Sequence, residues 1–141
     1  MRLEGRIWKS ETSRYWLAEI ADLDLVTEGR SRSDAAAMLK DAVESLVAQD
    51  PKDPFKVDVA VRTSGRCTVG STSDAQLVAL LLRRLRGREG LSVRAVAQRL
   101  GSKSPNAYSQ YETGRIAPSV DTLTRLLGAL NPSFEPTLRV A

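Results

Sequence analysis

Asn106 and Gln110 stand one helical turn apart in the stretch SPNAYSQYETGRIAPSVDTL, residues 104–123. Asn and Gln can each form a bidentate pair with adenine in the major groove of DNA. Ser104 can cap a helix, because its hydroxyl accepts a bond from an orphan N–H, and Pro105 suits the first helical position. Gly114 stops that helix. Asn106 and Ala107 then occupy its exposed first turn, with Gln110 one turn on. Ser109 and Arg115 are of the types that hold a phosphate. Tyr111 is expected to pack rather than stack on DNA. The plain alternative leaves Asn106 and Gln110 as solvated polar residues.

Such a helix needs a brace. Residues 75–88 carry Leu77, Val78, Leu81, Leu82 and Leu85 at helical spacing, and Gly90 stops them. Ser92 caps a short helix with Val93, Val96, Ala97 and Leu100 inside, closed by Gly101. Pro118-Ser119 opens a last helix with Val120, Leu123, Leu127 and Leu130, and Asn131-Pro132 closes it. Short helices around a glycine-containing break form a helix-turn-helix pattern.

The residues also carry a resemblance. LSVRAVAQRLGSKSPNAYSQYETGRIAPSVDTLTRLLGAL is similar to the Cro/phage-repressor (XRE) helix-turn-helix family. Ser109, Glu112 and Gly114 meet its Ser-x-x-Glu-x-Gly, Pro118 and Ser119 its Pro-Ser, and Ala97 and Gly101 its second-helix alanine and closing glycine. The turn before Ser109 is one residue longer than usual, with Lys103 in it. The resemblance implies operator double-stranded DNA as partner and Arg94, Lys103, Ser104, Asn106, Ala107, Ser109, Gln110 and Arg115 as the contact set. Arg94, Arg99 and Arg115 are expected to carry non-specific binding. A homodimer or higher assembly is expected, since repressors of this class usually sit on two half-sites.

The front half reads differently. Residues 5–9 (GRIWK), 15–20 (YWLAEI) and 25–28 (LVTE) read as strands. Ser31 and Asp34 fit a capping box before an apolar stripe of Ala35, Met38, Leu39, Ala42, Val43, Leu46 and Val47. FKVDVAVR, residues 55–62, alternates as a strand with Phe55, Val57, Val59 and Val61 on one face, and residues 67–69 can return beside it. Trp16, Ala18 and Ile20 are expected to face the helix. GSTS, residues 70–73, reads as a linker. The fold class expected is α+β: a small β-β-β-α-β domain over 1–70, then an all-α helix-turn-helix domain over 71–141.

This half resembles the N-terminal domain of HicB-type antitoxins, through a strand pair (15–20), a short strand ending in Gly (25–29) and an S-x-x-x-A helix start (33–37). That resemblance implies a truncated ribonuclease-H-like sheet and a HicA-like, RNA-cleaving toxin as partner, in a hetero-oligomer. Glu19, Asp22, Asp24 and Glu28 are the acids expected to face that basic toxin. The same acids raise a divalent-metal nuclease as an alternative. The first strand carries no acid at the place such a nuclease needs one, so no catalysis, metal or cofactor is expected. A ligand-sensing repressor without a toxin is the other alternative.

Composition narrows the classes further. There is no histidine, and Cys67 is the single cysteine. That removes Ser-His and Cys-His nucleophile pairs and a thiolate zinc cluster. Residues 1–74 carry 11 Lys+Arg against 13 Asp+Glu, while residues 75–141 carry 10 against 4. A basic back half suits a polyanion. Neither a signal peptide nor a membrane span is read, so a cytoplasmic protein without membrane contact is expected.

Overall fold

The computed structural model describes residues 1–140; Ala141, the last residue of the expected back domain, lies outside them. The chain is α+β, with one five-stranded sheet followed by four helices. The strands are β1 (Arg2–Lys9), β2 (Trp16–Ile20), β3 (Leu25–Gly29), β4 (Val57–Val61) and β5 (Arg66–Ser71). Their order is β3-β2-β1-β5-β4, and every pairing is antiparallel. β1 is the central strand. It alternates as a half-buried strand must, with Leu3 and Ile7 inward and Arg2, Glu4 and Arg6 outward.

Helix α1 (Arg32–Ser45) crosses between β3 and β4 and covers the inner face. Half of the capping box forms: Ser31 Oγ accepts from Asp34 N at 3.1 Å, while the Asp34 carboxylate reaches past the cap to accept from Arg30 N at 2.8 Å. Gly29 lets this helix start directly on the strand end, since a Cβ there would collide with the backbone of Ala35. Ala35, Leu39, Val43 and Val47 are buried against Ile7, Ala18 and Ile20 in one core. Met38 was expected in that stripe and is instead 45% exposed. It lies one position before Leu39, about 100° around the helix from the line through residues 35, 39 and 43. Trp16 is only half-buried at the edge of the core. Along 55–61 the alternation fades outward: Phe55 and Val57 are buried, Val59 is half-buried and Val61 is exposed. β4 is an edge strand, and its far end meets only the first turn of α1, where Arg32 Nη2 donates to Arg62 O.

The stretch GSTS is not a free linker. Gly70 and Ser71 belong to β5, Thr72 N donates to Lys56 O at 2.9 Å, and Ser73 caps helix α2 (Asp74–Arg88) by accepting from Gln76 N at 3.3 Å. α2 packs against β5 and against a 3-10 turn at Ala21–Leu23. The Met1 ammonium reaches Asp74 at 2.8 Å, and Arg88 Nη1 donates to Ala21 O at 3.4 Å. The core therefore runs unbroken from Leu3, Leu23 and Val69, through Leu77 and Leu81, to Tyr108 and Leu126. Helices α3 (Val93–Arg99), α4 (Asn106–Glu112) and α5 (Val120–Leu130) complete the chain before an extended tail. No helix among the described residues is long and apolar enough to cross a membrane.

A chain stopped after Gly70 loses α2 and bares Leu23 and Val69. We expect it to lack the single sharp thermal transition of the full chain, followed by circular dichroism; a fragment that melts as sharply would show that the sheet stands alone.

One carboxylate ties α1 to β4. Glu44 Oε1 accepts from Val57 N at 2.9 Å, with Lys56 Nζ 3.6 Å from Oε2. The Val57 N–H holds the Glu44 carboxyl below its ordinary 4.5, aided by the charges of Lys56 and Lys40 and opposed by burial. A depressed carboxylate stabilises the fold fully above its unfolded pKa, and that contribution is lost as pH falls through the folded value. Glu44→Gln should therefore lose less stability than the parent on acidification below about 4.5, measured by urea unfolding across pH.

Candidate nucleic-acid interface

The recognition-type helix α4 is anchored by a buried carboxylate. Glu112, 7% exposed, is the one charged residue counted in the core of the described chain. Arg86 of α2 grips it with both arms, Nε to Oε1 at 2.6 Å and Nη2 to Oε2 at 3.0 Å. The Tyr108 hydroxyl donates to Oε1 at 2.6 Å, from one turn earlier on α4. Arg83 Nη1 donates to the Glu112 backbone oxygen at 2.6 Å, and Arg86 Nη1 to Leu91 O at 2.9 Å. Burial, then the bond to Glu112, pushes the Tyr108 phenol far above its ordinary range. The bond to Glu112 likewise raises the Arg86 guanidinium against the opposing effect of burial. Both groups thus stay protonated as donors. At the end of α4, Gly114 takes φ +74° and presses against Gln76, where a Cβ would come within 3.1 Å of Gln76 Cγ.

With its inner face fixed, α4 turns its first residues outward. Asn106 and Ala107 are exposed, as the spacing predicts. Ser109 and Gln110 are half-buried and engaged with their own helix: Ser109 Oγ donates to Asn106 O at 3.2 Å, and Gln110 Nε2 to Ala107 O at 3.2 Å. Ser109 must release its one hydroxyl hydrogen to donate to a phosphate, whereas Gln110 keeps a second N–H and its Oε1 for a base.

Ser104 does for α4 what its position predicts: its hydroxyl accepts from an orphan N–H, that of Asn106, while Pro105, with φ −66° and ψ −18°, is already helical. The long turn is also stiffened locally. Ser102 Oγ donates to Ser104 O at 2.8 Å, and Ser104 Oγ accepts from Asn106 N at 3.3 Å. The extra residue is absorbed in this web, which leaves Lys103 exposed at the tip.

Arg94 and Arg115 are exposed too, and neither they nor Lys103 has a carboxylate partner among the described residues. Arg99 behaves otherwise. Its Nη1 donates to Ala129 O and Leu130 O at 3.1 and 3.3 Å, so it closes the C-terminus of α5. Tyr111 is half-buried against the core, as expected.

The acidic candidates lie on the other module. Glu19 and Glu28 share the outward face of the sheet, with Glu19 Oε2 accepting from Arg6 Nε at 2.6 Å. Asp22 and Asp24 are exposed around the 3-10 turn, Asp24 in the left-handed region at φ +49°. No three or more His, Cys, Asp or Glu residues among the described ones are grouped to hold a metal ion.

Residues 77–133 match a helix-turn-helix domain. The helix-turn-helix match begins inside α2 and ends just past α5, so it takes in the brace, the long turn and α4 together. It makes this part of the chain a DNA-binding module. Residues 1–76 lie outside it, and no curated protein matches the chain.

Sequence reasoning missed the Arg83–Arg86–Glu112–Tyr108 network. Its signal was present: Tyr108 and Glu112 stand four apart on one helical face, opposite a helix carrying Arg83, Arg84 and Arg86. Glu112→Ala leaves Arg86 partly buried and unpaired and should cost about 3–5 kcal/mol. Exchanging the pair for apolar residues, Arg86→Met with Glu112→Leu, should recover much of that. Chemical denaturation of the three chains decides it; a Glu112→Ala chain as stable as the parent removes the anchor.

Proposed function

We propose that the chain is a transcriptional regulator that reads operator DNA with α4 and takes up a basic protein partner, a HicA-like ribonuclease toxin, on its N-terminal α+β module. The observation that carries the DNA half is the exposed first turn of α4, with Asn106 and Ala107 at its tip and a buried anchor behind it. A helix held from behind enters the major groove with its N-terminal residues toward the bases. Asn106 and Gln110 read bases; Lys103, Ser104, Ser109, Arg94 and Arg115 meet phosphates.

The toxin half is supported by the HicB-like order of strands and helix and by the acids Glu19, Asp22, Asp24 and Glu28, gathered on one face and one turn. The sheet is then the truncated ribonuclease-H-like unit of that resemblance, and it acts by binding rather than catalysis. Two copies bind two half-sites. The exposed Ile116, in the connection after α4, and Val120, the first residue of α5, are apolar surface that a second copy could cover.

The test begins with selection of a bound duplex from a random pool, followed by gel shifts. Asn106→Ala and Gln110→Ala should each lose about 1–3 kcal/mol of discrimination between selected and scrambled duplexes. Lys103→Ala should weaken both duplexes alike and lower the salt slope by about 1. An affinity indifferent to salt would remove the DNA reading. A pull-down with the product of an adjacent small basic reading frame tests the toxin reading; RNA cleavage by the chain itself with magnesium would favour a nuclease instead.

A further inference from the structure

The outward face of the sheet has no second layer. Strand alternation places Arg2, Glu4, Arg6 and Trp8 of β1 on it, with Leu17 and Glu19 of β2, Val26 and Glu28 of β3, and Arg66 of β5. Glu4, Arg6 and Arg66 side chains are each more than half exposed, and Val26 is 57% exposed. Most of its charges are already matched within the sheet. Arg2 pairs with Asp58 at 2.5 Å and Arg6 with Glu19 at 2.6 Å, while Arg6 also lies over the Trp8 ring at 4.2 Å.

Glu4 is different. Its near partner comes from the far end of the chain: Arg139 Nη1 stands 2.7 Å from Glu4 Oε1, whereas Arg66 stands 3.6 Å from Oε2. The tail that delivers Arg139 is fixed at its root. Asn131 Oδ1 accepts from Ser133 N and Oγ at 2.9 and 2.7 Å, and the Phe134 ring sits under Arg88 at 5.4 Å. Beyond that root the tail is loosely held. Leu138 is 76% exposed and Val140 fully exposed, so the Glu4 ion pair is the tie at the tip.

We infer that residues 132–140 form a strap laid toward the open face of the sheet, and that its Arg139 contests Glu4 with an arginine- or lysine-bearing segment of a protein partner. The inference rests on the basic-partner reading above and adds its regulation. An exposed ion pair is worth little, so the strap is poised to yield. A cationic segment meets the same carboxylate with Thr68 across from it on β5 and the paired Arg2 and Arg6 next to it along β1, while Trp8, Leu17 and Val26 offer apolar contact farther along the face. The strap grows from the end of α5, so a partner that seats itself on the sheet frees a segment rooted in the DNA-binding module.

The test places a nitroxide on Val140→Cys. Cys67 is buried, so the label goes to the new thiol. We expect broadening of amide signals in β1 and β5, around Glu4 and Thr68, and not in α1 at Lys40. Arg139→Glu should abolish it, and Glu4→Arg combined with Arg139→Glu should restore it. A nona-arginine probe should bind a chain stopped after Pro136 roughly two- to fivefold more tightly than the full chain, the range an exposed ion pair supports. Absent broadening, or equal affinity of the two chains, overturns the strap. Broadening with no peptide bound by either chain overturns the contest at Glu4, while the basic-partner reading stands or falls by the pull-down. Gel shifts on the same samples report the DNA reading separately.

Discussion

A carboxylate buried against an arginine decides how this molecule is put together. Glu112 sits in the core with every near contact a donor: Arg86 twice and Tyr108 once. An ionised carboxylate in that place is tolerable only because it is paired and hydrogen-bonded on both oxygens. Such a pair contributes little net stability over apolar residues of the same shape. It does impose direction, because a bidentate Arg–carboxylate contact has a fixed planar geometry. α4 is only seven residues long, too short to persist alone. Its rotation about its axis, and so which residues face outward, is set by this contact and by the packing of Tyr108.

The constraint passes through α2. One side of that helix supplies Leu77 and Leu81 to the core shared with the sheet; the other supplies Arg83 and Arg86 to α4. Ser73 caps it within two residues of the last strand position, so no flexible segment intervenes. Short domains gain from this arrangement. A unit of about 70 residues buries a smaller fraction of its surface than a larger domain and is correspondingly marginal by itself. Sharing one helix lets both halves draw on one core.

Much of this was legible in the sequence, and the failures have physical causes. The helices of the back half announced themselves by cap residues and period: Ser92 accepts from Ala95 N as expected, and Ser119, read as opening the last helix, accepts from Thr122 N. The exposed tip at Asn106 and Ala107 followed from the same pattern. The start of α4 was legible too, since Pro105 takes helical dihedrals and Ser104 Oγ accepts from Asn106 N. GSTS misled because small polar residues suit a linker, a strand end and an N-cap equally well; only pairing partners decide, and those lie sixteen and more residues away at Lys56 and in β1. Arg99 was expected to carry non-specific DNA binding; its Nη1 also closes the end of α5, at acceptors too distant in sequence for spacing to reveal. Local spacing reveals helices and caps. It does not reveal which long side chain meets which distant acceptor.

The absence of a loose joint changes what a partner on the sheet can do. If the two modules were tethered by a flexible linker, a protein bound to one would leave the other free to find its own orientation. Here the 3-10 turn that carries Asp22 and Asp24 holds buried Leu23 against α2, and Arg88 of the same helix donates to Ala21. A protein docked at those acids therefore stands at a fixed bearing from α4. In a dimer on two half-sites, that bearing is copied by the symmetry. Two docked partners then either fit beside the duplex or clash with it or with each other, with little freedom to relax. Whether a partner favours or opposes DNA binding becomes a matter of its size and shape. On the proposed reading, the α2 joint would convert an interaction at the sheet into a steric condition at the operator, without any change of conformation in α4.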